Sequence, residues 1–160
     1  MSRQPLIPLI KSQQIFIFQF NLTTRITDMN YGNHLAATAM PSMMHQVRLK
    51  FLQAQGFSEF DIGGPGLVVS DIYVHYQSEV FFDEELLFRL GVESVDKYSA
   101  DFVYQVYNQT RQRPVAIAKE RIIFFDYQKK RVAPTAEQFI KTIQHLETGK
   151  EQCPKPNSTS

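Results

Sequence analysis

Between Arg25 and Phe57 the chain sets a carboxylate, two side-chain amides and an imidazole close together, as Asp28, Asn30, Asn33 and His34. A positioned carboxylate or imidazole can take a proton from water. An amide can orient water or a carbonyl but cannot accept a proton at neutral pH. This polar loop feeds a helical pattern that is apolar over most of its circumference. Its polar groups therefore gather at the N-terminal end of a buried helix, where free backbone N–H groups and a partial positive field suit a developing oxyanion. Gln46 is a further amide, on the helix itself. Each residue also has a plainer role open to it. Asp28 could cap the loop by accepting backbone N–H bonds, His34 could hold a carbonyl, and Gln46 could be a satisfied polar residue on the helix.

The elements that must position these groups are legible from periodicity. Residues 14–24 alternate as a strand, with Phe16, Phe18, Phe20 and Leu22 on one face. The spacing of Met40, Met43, Met44, Val47, Phe51 and Ala54 predicts a helix from about Thr38 to Gln55. Pro41 is tolerable only in a first turn, which pins the start and makes Thr38 a candidate N-cap. Gly56 suits the position after the helix. Four more strands are expected, at 67–80, 85–96, 99–109 and 114–127, joined by connections short enough for hairpins. A short amphipathic helix at 135–147 follows. Residues 1–13 read as an arm, 14–147 as one domain and 148–160 as a disordered tail. An antiparallel sheet around one apolar helix covers only one side of that helix, so a homodimer or dimer of dimers is expected.

Bulk composition excludes several classes. At 160 residues one domain with a sizeable core is favoured. A net charge of +1 gives no global field for nucleic acid or an anionic membrane. No apolar run is long enough to span a bilayer. The one cysteine, Cys153, allows neither a disulfide framework nor a thiolate metal set, and a cytoplasmic setting fits best. There is no Gly-rich phosphate loop, no metal-ligand cluster and no nucleophile–base pair of recognisable spacing, so neither a metal, nor a bound cofactor, nor a covalent intermediate is expected.

With loop, helix and strands in view, the chain resembles the hotdog-fold thioesterases around the 4-hydroxybenzoyl-CoA and acyl-carrier-protein thioesterases. The family pattern is close to D-x-D-x-x-G-H-V-N-N before a central helix. Here it reads Asp28-Met-Asn30-Tyr-Gly-Asn33-His34-Leu-Ala36-Ala37. The later strand reads Val68-Val-Ser-Asp71-Ile-Tyr-Val-His-Tyr76-Gln-Ser-Glu79. The resemblance covers roughly residues 14–133. It implies an α+β hotdog fold, a curved antiparallel sheet of about five strands wrapped around one long helix. It further implies hydrolysis of an acyl-CoA or acyl-carrier-protein thioester by direct water attack, at a site on a dimer interface. Asp28 would then be the base, with Asn30, His34 and Gln46 positioning water and carbonyl.

The departures are specific. Asn30 stands where the family has a second aspartate, Asn33 where it has glycine, and Gln46 where another branch has a helix glutamate. These amides leave open a second reading, a catalytically weak or inactive hotdog protein that binds acyl-CoA or a protein partner. Substrate contacts would fall to Asn33, Met43, Ser70, Asp71, Lys129 and Arg131, with Arg111 and Arg113 as other phosphate partners. The bland alternatives are core packing for Met40, Met43 and Met44, a ladder edge or interface for Asp71, structural roles for His45 and His75, and a solvated turn for Lys129-Lys130-Arg131.

Overall fold

The computed structural model describes residue 11 and residues 13–151. The strands are β1 (Phe18–Thr23), β2 (Gly66–Tyr76), β3 (Glu85–Glu93), β4 (Ser99–Asn108), β5 (Arg113–Asp126) and the short β6 (Arg131–Val132). The helices are α1 (Ala39–Ala54) and α2 (Glu137–Glu151). Every pairing is antiparallel, in the order β1-β3-β4-β5-β2, with β6 closing a hairpin on β5. β1 and β2 are thus the two edges, and the connection between them is α1. The helix carries the chain from one edge of the sheet to the other, which is the hotdog arrangement.

One sheet face is apolar because alternate residues point the same way. Leu86, Phe88 and Leu90 on β3, Phe102, Tyr104 and Val106 on β4, and Ala116, Ala118, Ile122 and Phe124 on β5 are all fully buried. Against them α1 buries Met40, Met43, Met44, Val47, Phe51 and Leu52. Phe51 meets Phe102 edge-on at 6.0 Å and Phe18 at 5.6 Å. α2 adds Phe139, which packs on Phe102 and Phe124. The other side of α1 carries Ser42, His45, Gln46 and Gln53 to the surface. The helix is therefore more amphipathic than its composition suggests.

The boundaries differ from expectation where tertiary contacts intervene. β1 begins at Phe18, because residues 14 and 15 cross over Gly91, where a Cβ would lie 2.5 Å from the Ile15 carbonyl oxygen. Thr38 occupies the N-cap position of α1 but makes no side-chain cap. Gly56 does close the helix, at φ +75°. Its N–H bonds to the Gln53 carbonyl and that of Phe57 to the Leu52 carbonyl, the paired bonds of a Schellman end. α2 runs to Glu151, beyond the expected 147, so the tail expected from 148 begins as helix. Residues 1–10, 12 and 152–160 of the expected arm and tail lie outside the described residues. Among the described residues no helix is long and apolar enough to cross a membrane.

The buried side of α1 also holds a charge that periodicity did not reveal. Arg48 is 5% exposed. Its guanidinium donates to Glu120 of β5 at 2.7 Å and to Glu59 at 2.8 and 3.0 Å. The Tyr104 hydroxyl donates to the other Glu120 oxygen at 2.5 Å, and His45 Nε2 lies 3.0 Å from Glu59. Burial is the largest influence and would lower the Arg48 pKa, but the Glu120 charge and the hydrogen bonds to Glu120 and Glu59 together outweigh it and the net direction is upward. Removing one partner of a buried pair strands the other charge, at a typical cost of about 3–5 kcal/mol. Arg48→Ala is therefore expected to lower the unfolding free energy in urea by about that amount. A loss below about 1 kcal/mol would show the pair to be dispensable.

Candidate active site

The loop between β1 and α1 is built by main-chain bonds to itself and to one neighbouring segment. The Arg25–Asp28 turn is a single 3-10 turn, Ile26–Asp28. The Asp28 carboxylate, 5% exposed, accepts the Arg25 N–H at 2.8 Å and the Arg25 guanidinium at 2.9 and 3.3 Å. The Arg25 side chain holds the Asp28 carboxyl below its ordinary pKa, against the upward push of burial. The Asp28 carbonyl accepts the Ala36 N–H at 2.9 Å, and Met29 bridges Leu35. Inside this clasp the Asn30 N–H donates to the His34 carbonyl at 2.8 Å and the Asn33 N–H to the Asn30 carbonyl at 3.1 Å. Asn33 sits at φ +62°, a conformation that asparagine tolerates better than most residues. The loop is anchored outward by Leu35 N–H to Val80 at 2.8 Å and by the Tyr76 hydroxyl to the Ala37 carbonyl at 2.6 Å.

The residues expected to act together fall into two clefts. One, of about 370 Å³, is lined by Asn30, His34, Leu35 and Ala37 on one side and by Tyr76, Gln77, Ser78, Glu79 and Val80 on the other. It opens at the start of α1, where the Ala39 N–H donates to the Ala36 carbonyl at 2.9 Å and Pro41 has no N–H, so that the Met40 N–H is the first-turn donor without an intrahelical acceptor. The other, of about 290 Å³, takes in Arg25, Asp28, Ser42, Met43 and Gln46. Asp28 and Gln46 are thus near each other, as are Asn30 and His34, but the two pairs line different cavities. Asp28 is already engaged as a loop-capping carboxylate. Asn33 is exposed and lines neither cleft. Met43 is buried in the core and also borders the second cleft.

The remaining candidates are dispersed. Ser70 and Asp71 lie at a bulge on the edge strand β2, both exposed, with Ser70 Oγ donating to Asp71 at 2.6 Å. Lys129 belongs to the β5–β6 turn and Arg131 opens β6 beside it; in the turn Asp126 accepts the N–H groups of Gln128 and Lys129 at 3.0 and 2.9 Å. The register places that turn, beside Gly66, at the opposite end of the sheet from Tyr76, which pairs with Ala116. Within one protomer these cations therefore do not share a cleft with His34. Arg111 is engaged by Glu84 and lies over the Phe81 ring at 4.6 Å, while Arg113 donates to the Glu79 carbonyl at 2.5 Å. Among the described residues no cluster of His, Cys, Asp and Glu is arranged to hold a metal ion.

Sequence reasoning passed over Tyr76, Ser78 and Glu79 as site residues. It carried the strand through residue 80, which made Glu79 a strand residue. In the structure β2 ends at Tyr76, and the N–H groups of Gln77 and Ser78 both turn to the Val115 carbonyl, at 2.7 and 3.3 Å. That turn swings Ser78 and Glu79 across the mouth of the loop. The Glu79 carboxylate is exposed and has no ion-pair partner among the described residues. The polar run after Tyr76 was the available signal.

Comparison with known proteins agrees with this fold. The fold is that of the hotdog proteins, and residues 24–143 match the model of the thioesterase-like superfamily. The chain belongs to that superfamily. No curated protein sequence matches it. A 1,4-dihydroxy-2-naphthoyl-CoA thioesterase from Synechocystis superposes with a TM-score of 0.72 at 14% identity, covering 81% of this chain and 96% of its own. A hypothetical protein from Staphylococcus aureus, solved in complex with CoA, gives 0.75 at 14% identity, covering 89% and 90%. A gentisyl-coenzyme A thioesterase gives 0.67 at 15%, covering 76% and 98%. At these identities the likeness is one of fold.

Two outcomes follow for the loop. Tyr76→Phe removes the donor to Ala37 and is expected to cost about 1 kcal/mol in denaturant unfolding, loosening the start of α1. The Asp28 pKa is depressed in the folded chain, so its pairing contributes stability above the unfolded carboxylate value and loses it as pH falls through the folded value. Arg25→Ala should therefore narrow the difference in thermal midpoint between neutral and acid pH. An unchanged difference would show that the pair carries no pH-linked stability.

Proposed function

We propose that this chain is a thioester hydrolase acting on an acyl-CoA or acyl-carrier-protein substrate by direct attack of water. The observation that carries the reading is the 370 Å³ cleft at the start of α1, which brings Asn30, His34, Tyr76 and Glu79 together in a chain of the thioesterase-like superfamily. The thioester carbonyl would lie toward the start of α1, where Met40 offers a backbone N–H beside an Ala39 N–H already given to the Ala36 carbonyl and a Pro41 that has none. Asn30 and His34 would orient water and carbonyl. Glu79 is the free carboxylate of this cleft and is favoured as the general base over Asp28, whose oxygens are taken by Arg25. Gln46, with Met43, would line the neighbouring cleft as a wall for the acyl group. The exposed edge of β2, with Ser70 and Asp71, supports pairing with a second protomer. In a homodimer with antiparallel β2 edges the partner's basic turn would approach this cleft, so Lys129 and Arg131 would meet substrate phosphates across the interface. A reducing cytoplasm suits a chain with one cysteine.

Asn30 and Gln46, amides at the family's usual carboxylate positions, favour one other reading, a hotdog protein that binds an acyl thioester without turning it over. A panel of short, medium and long acyl-CoAs separates the two. Hydrolysis well above background is expected for at least one chain length. Glu79→Gln should lower kcat about 10²–10⁴-fold with little change in KM, whereas Asp28→Asn should act mainly on stability. Tight binding of a non-hydrolysable acyl-CoA analogue with no turnover of any substrate would establish the binding reading instead. A large loss of kcat in Asp28→Asn with normal folding would return the base to Asp28.

A further inference from the structure

The hydrogen bonds around Asn30 decide which ring nitrogen of His34 carries the proton. Asn30 Oδ1 accepts the Gly32 N–H at 2.9 Å and lies 3.4 Å from the His34 N–H. Both partners are main-chain donors, so the amide oxygen must face them, and a reversed amide would oppose its NH2 group to two N–H groups. With the oxygen committed, Asn30 Nδ2 is the atom that faces His34 Nδ1, at 3.4 Å. An amide NH2 can only donate. His34 Nδ1 must then be the acceptor, and in a neutral ring the proton resides on Nε2. Gly32 lets the loop close this tightly: a Cβ there would lie 3.1 Å from His34 Nε2 and 3.3 Å from Asn30 Oδ1.

We propose that Asn30 locks His34 in the tautomer protonated at Nε2, so that the imidazole enters the cleft as a hydrogen-bond donor to an electron-rich oxygen and not as a base. Among the described residues Nε2 has no hydrogen-bond acceptor, which leaves its N–H for a ligand. The aspartate of the family pattern would do the opposite at this position, accepting Nδ1–H and leaving Nε2 as the basic nitrogen. The other ionisable groups near the ring come from the end of β2, the segment that follows it and the start of β5. Glu79 lines the cleft, the Tyr76 phenol is held neutral by burial and bonded to Ala37, and Arg113 is turned to the Glu79 carbonyl. No charged side chain enters from the first turn of α1, and the Asp28 carboxylate is turned to Arg25. This division makes His34 the polariser of the carbonyl and Glu79 the proton acceptor, and it rests on the thioesterase reading of the cleft only for the identity of that oxygen.

Nitrogen-15 NMR of the His34 ring in the full-length protein at neutral pH tests the lock without reference to activity. The wild type is expected to show a pyrrole-type Nε2 and a pyridine-type Nδ1. In Asn30→Asp the ring proton is expected at Nδ1, with the pyridine-type signal at Nε2 or lost. Wild-type protein with Nδ1 protonated, or with both tautomers equally populated, overturns the proposal even if Asn30→Asp does not fold. An unchanged ring in a folded Asn30→Asp overturns the role of Asn30. In acyl-CoA hydrolysis, His34→Ala should cost about 10²–10³-fold in kcat, and His34→Gln, which keeps an N–H donor, should recover at least tenfold of it. Equal losses in the two variants overturn the donor role. The lock observed in a protein that hydrolyses no acyl-CoA would leave the tautomer assignment standing and remove the thioesterase reading.

Discussion

The position of everything at the candidate site depends on how α1 is seated on the sheet, and the seating is fixed by one buried ion pair. Arg48 is the only charged side chain on the buried side of the helix. Apolar contacts between Met40, Val47 or Phe51 and the sheet are non-directional and would tolerate a small slide or rotation. The Arg48–Glu120 bond does not, because a shift would strand two buried charges. Tyr104 holds the far oxygen of Glu120 and Glu59 holds the near side of Arg48, so the pair is satisfied from both ends. Ladder bonds place Glu120 beside Ile72 on one side and Phe102 on the other. The helix is therefore indexed to the central strands, and its first turn comes to a set place beside the end of β2.

A second polar cluster fixes the opposite wall. Burial would raise the Glu84 pKa, but bonds from the Phe81 N–H, Arg111 and Asn108 outweigh it and hold the carboxyl below its ordinary value. Thr24 donates to the Phe81 carbonyl at 2.7 Å and accepts the Glu84 N–H at 2.9 Å. The segment 77–84 is thereby tied at one end to β1 and β4, and at the other by Ser78 to the Pro114 carbonyl. Val80, within this segment, receives the Leu35 N–H of the loop. Both walls of the cleft are thus held by polar bonds to rigid strands, while the cleft surface keeps its unpaired groups, the His34 imidazole edge and the Glu79 carboxylate. Asn30 lies within this frame, its amide oxygen accepting the Gly32 N–H and its NH2 facing His34.

The order of the elements was legible in the sequence because it is written in local periodicity. Strand alternation in 85–96 and 99–109, the three- and four-residue spacing from Met40 to Phe51, Pro41 in a first turn and Gly56 after the last turn are all properties of neighbours along the chain. So was the identity of the loop, since Asp28, Asn30 and His34 lie within a few residues of one another. Core packing for Met43 and a solvated turn for Lys129 were the plainer alternatives to substrate contact that the same local rules offered.

What only the tertiary structure decided concerns groups brought together from far apart. Arg48 joins Glu120 across 72 positions of sequence, and no periodicity separates such a partner from any other glutamate. The division of Asp28 and Asn30 between two clefts depends on which way each side chain leaves a tightly bonded loop, and neighbours with the same polarity left in opposite directions. Glu79 entered the site because β2 leaves its ladder after Tyr76, a break governed by the Val115 carbonyl on another strand. The sequence by itself determined a strand, a polar loop, a buried helix and four further strands, since each is a local pattern, and its resemblance to the hotdog thioesterases implied how they assemble. Which carboxylate is free depends on partners far along the chain, and the contact of His34 with Asn30, only four residues away, depends on how the folded loop closes.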